Sequence, residues 1–103
     1  MINVLIYLKK EHNAKMLIHD LLREKLISSA SIDENNVHFS MQNDVLVEEI
    51  YWVITAQTKA LLFNDINKFV ASKINEETPI IAIPIVGSNR IFDELLRSKT
   101  ISK

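Results

Sequence analysis

Residues 2–8, Ile-Asn-Val-Leu-Ile-Tyr-Leu, form an almost unbroken apolar run rich in strand formers. Such a run suits a central strand covered on both faces. The period then changes. Ala14, Leu17, Ile18, Leu21, Leu22 and Leu26 recur at three- and four-residue steps, with Lys15, His19, Asp20 and Arg23 largely between them. Residues 11–26 therefore predict an amphipathic helix with one buried stripe. Asn13 or Glu11 suits its N-terminus, where unpaired N–H groups favour a side-chain oxygen or a negative charge.

Residues 27–56 predict two strands joined as a long hairpin. Val37, Phe39 and Met41 alternate with His38 and Ser40, after a polar interruption at Asp33-Glu34-Asn35-Asn36 that predicts a bulge or kink. Gln42-Asn43-Asp44 is the turn, because Asn and Asp tolerate left-handed backbone. Val45 to Ala56 returns, with Ile50-Tyr51-Trp52-Val53-Ile54 as its strongest part. Thr58 is placed to cap a second helix over residues 59–74, whose stripe is Leu62, Ile66, Phe69, Val70 and Ile74. Pro79 to Val86 reads as a strand that lies at an edge or bulges at Pro84, since proline has no N–H to donate. A last helix runs from about Asn89 to Arg97, followed by a polar tail expected to fray.

The order β-α-β-β-α-β-α over residues 1–103 predicts one α+β domain of ferredoxin-like arrangement, an antiparallel sheet with helices on one face. The strands are apolar on both sides, so the sheet face away from the helices would expose more apolar surface than a monomer tolerates. Self-association through that face follows as an expectation.

Composition narrows the function classes. The chain of 103 residues is 48% hydrophobic and 24% charged, with 12 basic against 13 acidic side chains. That balance argues against a dedicated nucleic-acid binder. Cysteine is absent, which excludes disulfides, thiolate metal sites and cysteine nucleophiles. One glycine is too few for a glycine-rich phosphate loop. The N-terminal apolar run is too short to span a bilayer and lacks the flanks of a signal peptide, so a soluble cytoplasmic protein without membrane contact is expected.

Several segments resemble the CutA family, named for divalent-cation tolerance. Leu21-Leu22-Arg23-Glu24-Lys25-Leu26 followed by Ile27-Ser28-Ser29-Ala30-Ser31-Ile32 is similar to the family's Leu-Leu-x-Glu-x-Leu-Ala-Ala-Cys-Val-Asn-Ile stretch. Ile81-Ala82-Ile83-Pro84-Ile85 resembles its Val-Ala-Leu-Pro-Ile strand, and Asn89, Phe92, Leu95, Leu96 and Thr100 keep its helix spacing. The distant resemblance implies a tight homotrimer, a hairpin that reaches across to neighbouring subunits, a loose similarity to trimeric PII-type signalling proteins, and metal tolerance through copper or zinc. Phe39, Met41, Tyr51 and Trp52 are the residues expected at the trimer interface. The departures are specific. Ser29 stands where the family has its cysteine, Met41-Gln42-Asn43 replaces Trp-Glu-Gly, and Ile74 to Glu77 replaces His-Pro-Tyr-Glu. A basic position near the end of the third strand becomes Ala56 or Gln57.

Candidate ligands for a divalent cation are His38, Glu48, Glu49 and Glu77. Hairpin pairing sets His38 opposite Glu48, or opposite Glu49 if the turn changes by one residue. Imidazole and carboxylate share divalent cations readily, and neighbouring chains of a trimer would add ligands. The same pair also reads as an ordinary cross-strand charge pair. His12 and His19, two helical turns or about 10 Å apart, cannot share one ion. Glu76 and Glu77 read either as cation ligands near a subunit boundary or as a solvated loop. Lys9 and Lys10 end the first strand, where anions often bind in βα units. No nucleophile with a base stands at a recognisable spacing, so catalysis is not expected. A trimeric signalling or protein-interaction module that binds a small ligand or a protein partner is the alternative function.

Overall fold

Strand β1, Ile2–Lys9, runs between two partners in the computed structural model, which describes residues 1–103. Ile6 faces Ile54 of β3 (Val45–Thr58) on one side and Ile80 of β4 (Ile80–Pro84) on the other. Strand β2, Ser29–Gln42, pairs with the far edge of β3. All three pairings are antiparallel, and the strand order is β2-β3-β1-β4. Helices α1 (Ala14–Arg23), α2 (Phe63–Lys73) and α3 (Arg90–Lys99) complete the expected ferredoxin-like α+β fold.

Alternation along β1 fixes the core. Ile2, Val4, Ile6 and Leu8 are buried, together with Ala14, Leu17 and Leu21 of α1 and Ile66 and Val70 of α2. Side chains directly opposite one another in an antiparallel pair share a face. The helix-covered face therefore also carries Ile54 and Ala56, both fully buried, while Leu5, Tyr7, Tyr51, Val53, Ile81 and Ile83 line the other face.

The hairpin projects beyond this core. Gln42 faces Val45, and Asn43 and Asp44 both take positive φ, 51° and 63°, as a two-residue type I′ turn requires. The polar interruption is a bulge, with the register shifting between Asp33 and Asn36 and the Asp33 carboxylate accepting from the Asn35 N–H. The molecule measures 46 × 28 × 21 Å, and its radius of gyration of 14.5 Å exceeds the about 13 Å of a compact chain this long. On the projecting part, Val37, Phe39 and Met41 share a face with Ile50 and Leu46, and the chain leaves all five exposed.

Some local expectations are revised. Helix α1 ends at Arg23 rather than Leu26, because Lys25 turns left-handed at φ 58°. The Leu26 N–H donates to the Leu21 carbonyl and the Lys25 N–H to that of Leu22, a Schellman ending built without glycine. Leu26 then folds back into the core beside Leu21. Thr58 is not a helix cap. It closes β3, fully buried, and its hydroxyl donates to the Leu26 carbonyl at 2.6 Å. A short 3-10 turn, Ala60–Leu62, precedes α2. The tail is docked rather than frayed: Thr100 is buried, the Ile101 N–H donates to the Lys25 carbonyl, and Lys103 pairs with Asp65. Pro84 ends the edge strand β4, as its missing N–H requires.

The left-handed lysine yields a test. Lys25→Gly removes the Cβ clash of that conformation and raises stability by about 1 kcal/mol. The expected result is a higher denaturation midpoint at fixed protomer concentration, with an unchanged slope in denaturant.

Candidate functional site

Two loops meet where β1 leaves the sheet. Because β4 lies beside β1, the Tyr7 N–H donates to the Pro79 carbonyl at 3.1 Å, and the α2–β4 loop is held over the β1–α1 turn. That turn is fixed by the His12 N–H, which donates to the Lys9 carbonyl, and by the Asn13 side chain, which accepts from the Met16 N–H at 3.0 Å and caps α1. His12 thus stands in the turn before the helix, not on a helix face shared with His19. His12 Nε2 lies 3.0 Å from Glu76 Oε1, and Lys9 Nζ lies 3.8 Å from Glu76 Oε2. Glu11 joins them: one ligand atom each from Glu11, His12 and Glu76 falls within 4.8 Å of the others. This convergence is invisible along the chain, since His12 and Glu76 are 64 residues apart.

The hairpin pairing is resolved by the turn. His38 faces Glu49, and Glu48 faces Phe39 on the opposite side of the ribbon. The His38 ring packs edge-on against Tyr51, with centroids 5.3 Å apart, and against Tyr7 at 6.2 Å. Tyr7 and Tyr51 also meet edge-on at 6.2 Å. The three rings, with Pro79 and Ile81, border a cavity of about 190 Å³. Burial pushes the Tyr51 hydroxyl above its ordinary pKa, and the Glu49 carboxylate, then that of Glu76, adds to the shift. Trp52 points the other way from Tyr51 and packs against the helix-covered core.

Glu77 stands apart from His38. It lines a larger cavity of about 660 Å³ with Asn67, Asn75, Glu76, Thr78 and Ile80. The buried Asn67 Oδ1 has no hydrogen-bond partner. At the other end of β1, Ser29 Oγ donates to Gln57 Oε1 at 2.7 Å, and Gln57 Nε2 donates to Asn3 Oδ1 at 2.8 Å. Asn3 and Gln57 border a cavity of about 410 Å³ with Ser88, Asn89 and Phe92. Chemically, the first loop pair offers imidazole and carboxylate, ligands for first-row divalent metals, whereas the Ser29–Gln57–Asn3 chain offers only neutral hydroxyl and amide groups.

The profile of the CutA1 divalent ion tolerance proteins matches residues 2–99. The chain belongs to this family. Solved CutA1 structures share the fold. The divalent cation tolerance protein of Thermus thermophilus is 24% identical, with a TM-score of 0.87, covering 97% of this chain and 99% of its own. CutA1 from Oryza sativa is 21% identical, with a TM-score of 0.90, covering 99% of this chain and 94% of its own. The CutA protein of Archaeoglobus fulgidus, described as periplasmic, is 19% identical with a TM-score of 0.86, covering 96% and 98%. No curated protein sequence matches the chain. No helix is long and apolar enough to cross a membrane.

Tyr51 makes the electrostatics of the hairpin root measurable. Its hydroxyl ionises later in the folded chain than the about 10 of an unfolded tyrosine, so the native state holds the proton more tightly. The resulting stability is complete below about pH 10 and is lost as pH rises through the raised value. Alkaline denaturation series on the native chain and on Tyr51→Phe should diverge in that window, with Glu49→Gln reducing the difference. Parallel curves for all three would remove Glu49 and burial as the cause.

Proposed function

We propose that this CutA1 family member works as a non-catalytic homotrimer in the cytoplasm, binding copper or zinc in divalent-ion tolerance or the response to metal. The observation that supports it is the apolar surface one chain leaves uncovered. Phe39 is 59% exposed and Met41 64% exposed on the projecting hairpin, and Ile81 and Ile83 are exposed on the sheet face away from the helices. Neighbouring copies seated on these surfaces would bury Phe39 and Met41, and would cover Tyr51 on the open face. Trp52 would contribute from the edge of the core against which it packs.

For the cation, His38 and Glu49 form a cross-strand pair, but with Glu48 and Glu77 they make no set of three ligands within one chain, so all four would take part only where a neighbouring subunit adds donors. The non-catalytic reading is supported by the use made of the serines near the family's cysteine position. Ser28 donates to the Gln57 carbonyl and Ser29 to the Gln57 side chain, so neither is paired with a base. The even charge balance supports a partner other than nucleic acid, and the lack of any helix long and apolar enough to cross a bilayer supports a chain that works off the membrane. One observation favours a second reading, a PII-like signalling or interaction module: the cavity of about 660 Å³ beside the α2–β4 loop has room for a small ligand, and the unpartnered Asn67 lines it.

Native mass spectrometry with and without added copper or zinc tests the proposal. A trimer that takes up metal in proportion to its chains is the expected result. Phe39→Asp sets a charge in the proposed interface and should yield monomers, because an unpaired charge at an interface core is strongly unfavourable. A native chain that runs as a monomer at micromolar concentration would overturn the assembly. A metal-free trimer would leave the small-ligand module.

A further inference from the structure

We infer that the divalent cation is held within each chain by Glu11, His12 and Glu76, at the junction of the β1–α1 turn and the α2–β4 loop, with Lys9 as the resident counter-ion that the metal displaces. This deepens the metal-binding reading above and rests on it.

The donor set is one imidazole nitrogen and two carboxylates, which suits zinc and related first-row divalent ions better than calcium or magnesium. Ligand bonds to zinc are about 2.0–2.2 Å, so neighbouring ligand atoms around the ion stand roughly 3.3 Å apart. His12 Nε2 and Glu76 Oε1 already stand 3.0 Å apart, and the Glu11 carboxylate closes the group within 4.8 Å. Glu11 is exposed, so no packing holds its side chain away from the pair. His12 and Glu76 come from loops anchored by main-chain hydrogen bonds, the His12 N–H to Lys9 and the Tyr7 N–H to Pro79. Three protein ligands leave a fourth position for water or another ligand. Access is open on both sides, because Glu11 and His12 border one cavity, of about 380 Å³, and Glu76 borders another.

Lys9 gives the site a second, distinctive property. Its ammonium lies 3.8 Å from Glu76 Oε2, where it offsets one of the two carboxylate charges. A metal ion brings two positive charges to the same carboxylate and repels the ammonium. Lys9 therefore competes with the metal, and its removal should tighten metal binding. A purely structural ion pair would show the opposite: losing Lys9 would only loosen the loop. His38 lies outside this group, and none of His38, Glu48, Glu49 and Glu77 belongs to a convergent set of three in one chain.

Zinc chloride titration by calorimetry on the full chain, with the assembly checked by native mass spectrometry, tests the inference. The expected result is one zinc per chain, an affinity at least tenfold lower in both His12→Ala and Glu76→Gln, and a severalfold higher affinity in Lys9→Met. Circular dichroism on each variant separates ligand loss from unfolding, and Glu76→Gln retains the loop's size and shape if His12→Ala proves unstable. Zinc that binds normally to His12→Ala and Glu76→Gln but is lost in His38→Ala would overturn this site while leaving the metal-binding reading intact. Weaker or unchanged binding in Lys9→Met would overturn the counter-ion role. No zinc uptake by the native chain would overturn the site and the metal-binding reading together.

Discussion

Every part of this molecule depends on β1 being paired along both edges while its side chains alternate between two apolar surroundings. Ile2, Val4, Ile6 and Leu8 bury one face beneath the helices, and this fixes the register of β3 and β4, since a one-residue slip would move all four to the wrong side. A chain of this size has helices enough to cover only that face. Leu5, Val53, Ile81 and Ile83 make the second face apolar too, and the hairpin carries Phe39, Met41 and Leu46 out beyond any cover of its own. The sequence thus specifies more apolar surface than one chain can bury, and the proposed trimer is the direct physical answer to that surplus.

The elements that were legible in the residues are those decided by local chemistry. Periodicity separated strands from helices, Asn43-Asp44 marked a turn that needs positive φ, and Pro84 marked an edge. What was not legible depended on partners distant in sequence. Lys25 gives no sign of a helix ending, because that signal is ordinarily glycine, and the one glycine of this chain lies elsewhere. Thr58 has the composition of a cap, and only the fold shows that its hydroxyl answers Leu26 instead. The tail reads as polar, yet Thr100 and Ile101 are held because the left-handed Lys25 turns its carbonyl to the Ile101 N–H.

The candidate site divides in the same way. The pairing of His38 with a glutamate followed from strand arithmetic, and the two-residue turn selected Glu49 over Glu48. The meeting of His12 with Glu76 could not follow from spacing, because it depends on β4 lying beside β1 and carrying the preceding loop with it. Sequence spacing sets His12 against His19 alone, whereas the fold leaves His12 in the turn before α1 and against Glu76.

The departures from the family pattern fit one physical account. Ser29 and Gln57, near the positions of the family's cysteine and basic residue, do not stand as isolated losses. They are joined to each other and to Asn3 by two short hydrogen bonds. A neutral chain of hydroxyl and amides is self-satisfied, offers no soft ligand and holds no net charge, so that end of β1 is a poor place for copper or zinc. Six residues further along the same strand, about 20 Å away at ordinary strand rise, Lys9 begins the charged turn that meets Glu76. Imidazole and carboxylates are gathered at that end, with an ammonium already offsetting part of their charge. In this chain, then, the one convergent set of three ligand-bearing side chains lies at the opposite end of the central strand from Ser29, which stands where the resemblance places the family's thiol. The rigidity of a strand paired on both edges keeps the two ends distinct.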